Sequence, residues 1–162
     1  MHAHGPDRML TVEAGETTLC QAGVIACKDD GGKTKVLLIT SRDTGRWIVP
    51  RGNIRPGSTP AKSAKNEAYE EAGIKGTIVG PRPLGFYRYL KKLDTERTLA
   101  ARVEIYLLNV TEQLKKWPEK GERRRSWVSI NEALGLVEES GIAALLRRLT
   151  EIEESVLRVG HG

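Results

Sequence analysis

Gly52-Asn-Ile-Arg-Pro-Gly-Ser-Thr-Pro-Ala-Lys-Ser-Ala-Lys-Asn-Glu-Ala-Tyr-Glu-Glu-Ala-Gly-Ile74 reads as a loop running into a helix. The loop, Pro50 to Pro60, is rich in glycine, proline and arginine. The helix spans Thr59 to Gly73: Ser58 or Thr59 serves as its cap, Pro60 suits its first turn, and Gly73 is a natural stop. Ala61, Ala64, Ala68 and Ala72 form a small apolar stripe that allows close packing on a sheet. Glu67, Glu70 and Glu71 are expected largely away from that stripe, and their spacing places them side by side. Like charges so spaced cost a few tenths of a kcal/mol per pair. The helix dipole adds about 0.3–1 kcal/mol against each anion near the C-terminal end. Within the helix no Lys or Arg lies three or four residues from any of the three, and Lys75 falls beyond the Gly73 stop. A solvated acidic face is the plain alternative. The unpaired placement favours an external cation, and hard oxygen ligands suit Mg²⁺ or Mn²⁺.

The preceding segment has the opposite sign. From Ser41 to Asn66 there are six basic residues, Arg42, Arg46, Arg51, Arg55, Lys62 and Lys65, against one acid, Asp43. The whole chain carries +5, so this segment accounts for its excess. A carboxylate site for a metal beside an arginine-rich loop is what phosphate chemistry requires: the metal bridges phosphate oxygens and activates water, and guanidinium groups hold the remaining oxygens. The partner so implied is a small, anionic, phosphate-rich substrate.

Outward from this core, strands are expected at Cys20–Cys27, Val36–Thr40, Trp47–Val49, Thr77–Val79, Phe86–Leu90, Ala101–Val110 and Ser126–Ser129. Asp30-Gly31-Gly32 is a turn signal that makes the first two a hairpin. Asn131–Val137 reads as a short helix, and Ile142, Leu145, Leu146, Leu149, Ile152 and Val156 give an amphipathic C-terminal helix whose stripe packs the core. Strands interleaved with few helices indicate an α/β or α+β sandwich. Residues 1–18 are expected to be a flexible N-terminal segment, with one domain over 19–160. The 162 residues are 39% apolar and 29% charged, which fits a globular domain, and no apolar run is long enough for a membrane helix. The polar N-terminus lacks a signal-peptide pattern, so a cytoplasmic address is expected. Cys20 and Cys27 lie seven apart in one strand, and the histidines lie near the ends, which argues against zinc. A nucleic-acid-binding domain is disfavoured because aromatics are only 5% and no recognition-helix pattern occurs.

The segment Gly52–Ile74 resembles the Nudix box: Gly, five residues, Glu, seven residues, Arg-Glu, an aliphatic residue, any residue, Glu-Glu, any residue, Gly, aliphatic. Gly52, Glu67, Ala68, Glu70, Glu71, Gly73 and Ile74 fit; Ser58 stands where the first Glu is expected and Asn66 where Arg is expected. Ser41–Pro50, Val103–Glu112, Trp117–Glu119 and Arg123–Trp127 resemble the diphosphoinositol polyphosphate phosphohydrolase and diadenosine polyphosphate hydrolase branch, over about Gln21 to Val137. The resemblance implies an α/β/α sandwich with a mixed β-sheet between helices. It implies hydrolysis of a diphosphate linkage, Mg²⁺ (or Mn²⁺) as cofactor, and Glu67, Glu70 and Glu71 as catalytic metal ligands, with Glu67 also a candidate base. It further implies that Gly52 lets the loop backbone approach the metal or phosphate, and that Arg42, Arg46, Arg51 and Arg102 bind substrate. Glu104, Glu119 and Glu122 are open candidates for a carboxylate from outside the box. In the family the first Glu and the Arg can brace the loop against the helix; Ser58 and Asn66 are expected to form a neutral replacement. The alternative to an enzyme is a catalytically weak nucleotide-sensing module.

Overall fold

A computed structural model describes the backbone of residues 10–13 and 16–161 and the side chains of 17–154. Strands β1 (Leu10–Glu13), β2 (Glu16–Asp30), β3 (Lys33–Thr40), β4 (Trp47–Ile48) and β5 (Arg51–Asn53) precede helix α1 (Pro60–Ala72). Strands β6 (Ile74–Ile78), β7 (Gly85–Lys92), β8 (Thr98–Gln113) and β9 (Arg125–Ser129) follow, then helices α2 (Ile130–Leu136) and α3 (Ser140–His161). Among the described residues the strands form one sheet of nine, with β2 parallel to β8 and every other pairing antiparallel. The mixed α/β architecture is the one expected. No helix among the described residues is long and apolar enough to cross a membrane.

The β2–β3 hairpin turns through Gly31 and Gly32, both at positive φ (63° and 87°), the pair of left-handed residues a two-residue hairpin loop demands. Three local expectations are corrected. Residues 10–13 and 16–18, within the segment read as flexible, form β1 and the start of β2, which pair antiparallel, while residues 1–9 and 14–15 lie outside the described residues. The segment read as loop after Pro50 contains β5, whose Gly52 pairs with Ala22 of β2. The β-pairing of Ile74–Lys75 begins directly after the helix, earlier than Thr77, because Gly73 in the left-handed conformation (φ 65°, ψ 39°) reverses the chain within one residue.

Helix α1 is capped by Thr59, whose side chain accepts the Lys62 N–H at 3.1 Å; Pro60 opens its first turn. Ala64, Ala68 and Ala72 are fully buried, as the stripe required. Contrary to the sequence reading, Glu67 and Glu71 are buried too. For Glu67 the physical reason is Gly52, which presents no side chain where the Glu67 carboxylate packs, and Glu71 is covered by the Arg51 backbone and Arg123.

The C-terminal end of α1, crowded with carboxylates, is closed by Arg125. Its guanidinium donates to the carbonyls of Ala72 (2.6 Å) and Leu114 (2.9 Å) and lies 3.9 Å from the Trp117 ring centre. A cation there satisfies orphan carbonyls and opposes the dipole's negative end. We expect Arg125→Ala to lower stability by about 1.5–3 kcal/mol, the range for charge-assisted hydrogen bonds, in urea unfolding of the metal-free protein. An unchanged urea midpoint would show that the cap does not hold the helix end.

Candidate active site

Four carboxylates gather around the second half of α1. Glu71 accepts the Arg51 backbone N–H at 3.0 Å on one oxygen and Arg123 Nη2 at 3.2 Å on the other. Glu67 lies against Gly52. Both Glu70 oxygens accept from one Arg55 nitrogen, Nη2, at 3.1 and 3.2 Å. The fourth is Glu119, whose backbone N–H donates to the Glu70 carbonyl at 3.0 Å and whose side chain accepts Arg123 Nε at 2.9 Å. Of the three candidates outside the box, Glu119 is therefore the one the fold brings to the helix, and its charge acts on both Glu67 and Glu71. Glu122 is further out, bound to Arg42 at 2.9 Å. Glu104 pairs with Arg102 at 3.5 Å and accepts the Tyr106 hydroxyl at 3.1 Å. Spacing alone could not select Glu119, because its position depends on the Glu70 carbonyl and on Arg123, which is anchored to the Thr40 carbonyl at 3.1 Å.

The site is short of positive charge. Burial pushes the Glu71 carboxyl up to about 8, with Arg123 opposing and Glu67 adding to the rise. Burial, then the neighbouring Glu70 charge, pushes Glu67 up to about 7 against Arg55. Both acids thus favour their protonated forms in the folded chain. An unfolded glutamate titrates near about 4.3. The stability these two groups contribute is fully present below that value and is lost as pH rises through 7 and 8, because the folded state resists an ionisation the unfolded chain has already completed. We expect the melting temperature of the metal-free protein to fall between about pH 5 and pH 8.5 and the fall to shrink when Mg²⁺ is added. A flat profile without metal would contradict this electrostatic description.

Two carboxylates with this unmet charge, a third beside them and oxygen donors throughout make a donor set suited to a hard divalent cation. Among the described residues no three acidic, Cys or His side chains already converge as a closed metal cage. Arg55 and Arg123 instead hold Glu70, Glu71 and Glu119, each through a single nitrogen, and a carboxylate offers about four lone-pair sites, so each keeps sites for a cation while its arginine orients it.

The expected substrate groups are placed as follows. Arg42 and Arg46 are exposed and paired, Arg42 with Glu122 and Arg46 with Glu138 at 3.6 Å. Arg102 packs over Phe86, 4.0 Å from the ring centre. Arg51 divides its roles, because alternate residues of β5 face opposite sides of the sheet. Its backbone N–H serves Glu71, while its guanidinium crosses to Glu139 (3.0 Å from Nη2), the Tyr87 hydroxyl (2.6 Å) and the Tyr89 ring (3.7 Å). Gly52 meets the Glu67 carboxylate rather than open space. A cleft of about 440 Å³ opens beside Arg51, walled by Trp47 and Tyr89. Its cations Arg46, Arg51, Lys91 and Lys92 are matched by Asp43, Asp94, Glu138 and Glu139. Ser58 bonds Ser63 Oγ at 3.1 Å, whereas the Asn66 amide nitrogen is buried without a partner; the expected neutral contact between Ser58 and Asn66 is not formed.

A family model described as "NUDIX domain" matches residues 19–151. The chain is similar to Nudix hydrolase 12, mitochondrial, of Arabidopsis thaliana, 32% identical over 130 residues covering 78% of this chain and 64% of that protein. It is also similar to human diphosphoinositol polyphosphate phosphohydrolase 3-beta, 35% identical over 107 residues, covering 64% of this chain and 60% of the relative. The chain thus spans somewhat under two thirds of the length of these relatives. A solved structure of a C. elegans Ap4A hydrolase binary complex shares the fold, with TM-score 0.64 and 20% identity over 84% of this chain and 98% of that one.

Proposed function

The chain belongs to the NUDIX domain family, and on that premise we propose that it hydrolyses a diphosphate linkage with a divalent metal, Mg²⁺ or Mn²⁺, and that its substrate is a nucleoside polyphosphate of the dinucleoside type. The observation that carries the reading is the under-neutralised cluster of the buried Glu67 and Glu71 with the half-buried Glu70 and Glu119. Glu67, Glu70 and Glu71 would hold the metal, with Glu119 supplying further negative charge. When bound, the metal neutralises phosphate oxygens and makes water a better nucleophile. The chain's own groups do the rest. The Arg51 N–H orients one oxygen of Glu71 and Arg123 the other. Glu67, set against Gly52 beside the other carboxylates, is the candidate to accept a proton from the attacking water.

Substrate class follows from charge. Arg42, Arg46, Arg51 and Arg102 are each paired with a glutamate. The cleft beside Arg51 is electrically balanced and has aromatic walls. That suits a flat, neutral, hydrogen-bonding group such as a nucleobase, whereas an inositol bearing many phosphates calls for a surplus of cations. A diphosphoinositol polyphosphate is the second reading, favoured by the name of the human relative. A cytoplasmic location belongs to the same reading, supported by Cys20 and Cys27 standing outside any disulfide. Catalytic efficiency on diadenosine tetraphosphate and on a diphosphoinositol polyphosphate, each with Mg²⁺ and Mn²⁺, tests the assignment. We expect the dinucleotide to be preferred; preference for the inositol compound would reverse the substrate class. Tight binding of either without cleavage would replace the enzyme with a sensing module.

A further inference from the structure

A helix cation that steadied Glu70 would stand one turn earlier, at position 66, because residues four apart are neighbours on a helix. That position is Asn66, whose amide nitrogen is buried without a partner. The cation comes instead from the loop. Arg55 reaches across to Glu70, 3.1 and 3.2 Å from its two oxygens, and stands 4.0 Å from Glu67. Its backbone is held in turn to the helix, since the Arg55 N–H donates to Ser63 Oγ at 3.3 Å and Ser58 N–H returns to the Arg55 carbonyl at 3.0 Å. Ser63 is buried, so the base of this loop is fixed while the guanidinium remains half exposed.

We propose that Arg55 is the positioning residue for Glu70, a loop arginine that braces loop against helix in place of a helix cation at position 66. The brace joins the same loop and helix that a direct Ser58–Asn66 contact would have joined, with the cation on the loop and the anion on the helix. It fixes the rotamer of the most exposed member of the Glu67, Glu70 and Glu71 set. The inference rests on the metal reading of those carboxylates. Partners that orient a ligating group are worth about 10–100-fold in metal affinity or activity.

The test moves the cation. Arg55→Ala is expected to weaken Mn²⁺ binding about 10-fold, measured by electron paramagnetic resonance without substrate, and to lower kcat by a similar factor with KM for substrate unchanged. Asn66→Arg added to Arg55→Ala is expected to restore most of both losses, because it returns a cation one turn from Glu70. Tighter Mn²⁺ binding in Arg55→Ala would overturn the proposal by making Arg55 a competitor of the metal. A rise in KM alone would overturn it by making Arg55 a substrate contact. Failure of Asn66→Arg to restore either quantity, in a variant that melts like the parent, would also overturn it. The functional reading fails separately: absence of hydrolysis by the unaltered chain, with Mn²⁺ binding and its rescue as described, would remove the activity and leave the brace standing.

Discussion

Replacing Glu71 with glutamine is expected to lower Mg²⁺-dependent hydrolysis by more than about 100-fold, beyond the range for residues that only orient a ligand, while leaving the metal-free fold about as stable as before. The two expectations have one cause. Burial pushes the Glu71 carboxyl up to about 8, so near neutral pH the metal-free chain already favours the uncharged acid. Glutamine matches that form in shape, and its carbonyl can still accept the Arg51 N–H that Glu71 accepts at 3.0 Å. The new amide nitrogen cannot accept from Arg123 Nη2 as the Glu71 oxygen does, but Arg123 keeps Glu119 and the Thr40 carbonyl as partners. What disappears is the anion a metal would bind. Hydrolysis at saturating Mg²⁺ and melting without metal measure the two halves. Near-normal turnover would remove Glu71 from the metal set, and a large drop in melting temperature would make its role structural.

Gly52→Ala is the second large effect. A Cβ at this position would stand 2.3 Å from Glu67 Cδ and 2.5 and 2.7 Å from its oxygens. The Gly52 backbone is not among the positive-φ glycines, so space rather than conformation makes glycine necessary. The Glu67 side chain is the flexible partner and must swing away from the sheet. The fold survives that movement, but the carboxylate leaves the cluster. We expect kcat to fall at least about 10–100-fold, as when a metal ligand loses its orientation, with a small change in metal-free melting temperature. Retained turnover in Gly52→Ala would show that Glu67 acts from a different position.

The sequence made much of this legible because the informative features were local. Thr59, Pro60 and Gly73 delimit α1 by capping chemistry, the Asp30-Gly31-Gly32 turn defines a hairpin, and the Glu67, Glu70 and Glu71 spacing declares itself on any helical projection. The missed features depended on distant neighbours. Glu67 and Glu71 are expected on the open side of α1, yet Gly52 lets Glu67 sink and the Arg51 backbone and Arg123 cover Glu71. Arg51 was expected at a phosphate, but the alternation of β5, a strand too short to carry a periodic signal, turns its guanidinium to Glu139. Arg55 was one basic residue among six, and its tie to Glu70 emerges only when the loop folds back over Ser63. Glu119 needed the Glu70 carbonyl and Arg123 to bring it in from the far side of a long connection.

The most direct measurement follows diadenosine tetraphosphate by ³¹P nuclear magnetic resonance with the unaltered chain, first with Mg²⁺ and then with the metal chelated. With Mg²⁺ the internal phosphate resonances are expected to convert to those of the products, and conversion is expected to stop on chelation. Resonances that shift on binding but never convert, or conversion that continues undiminished in chelator, would contradict it.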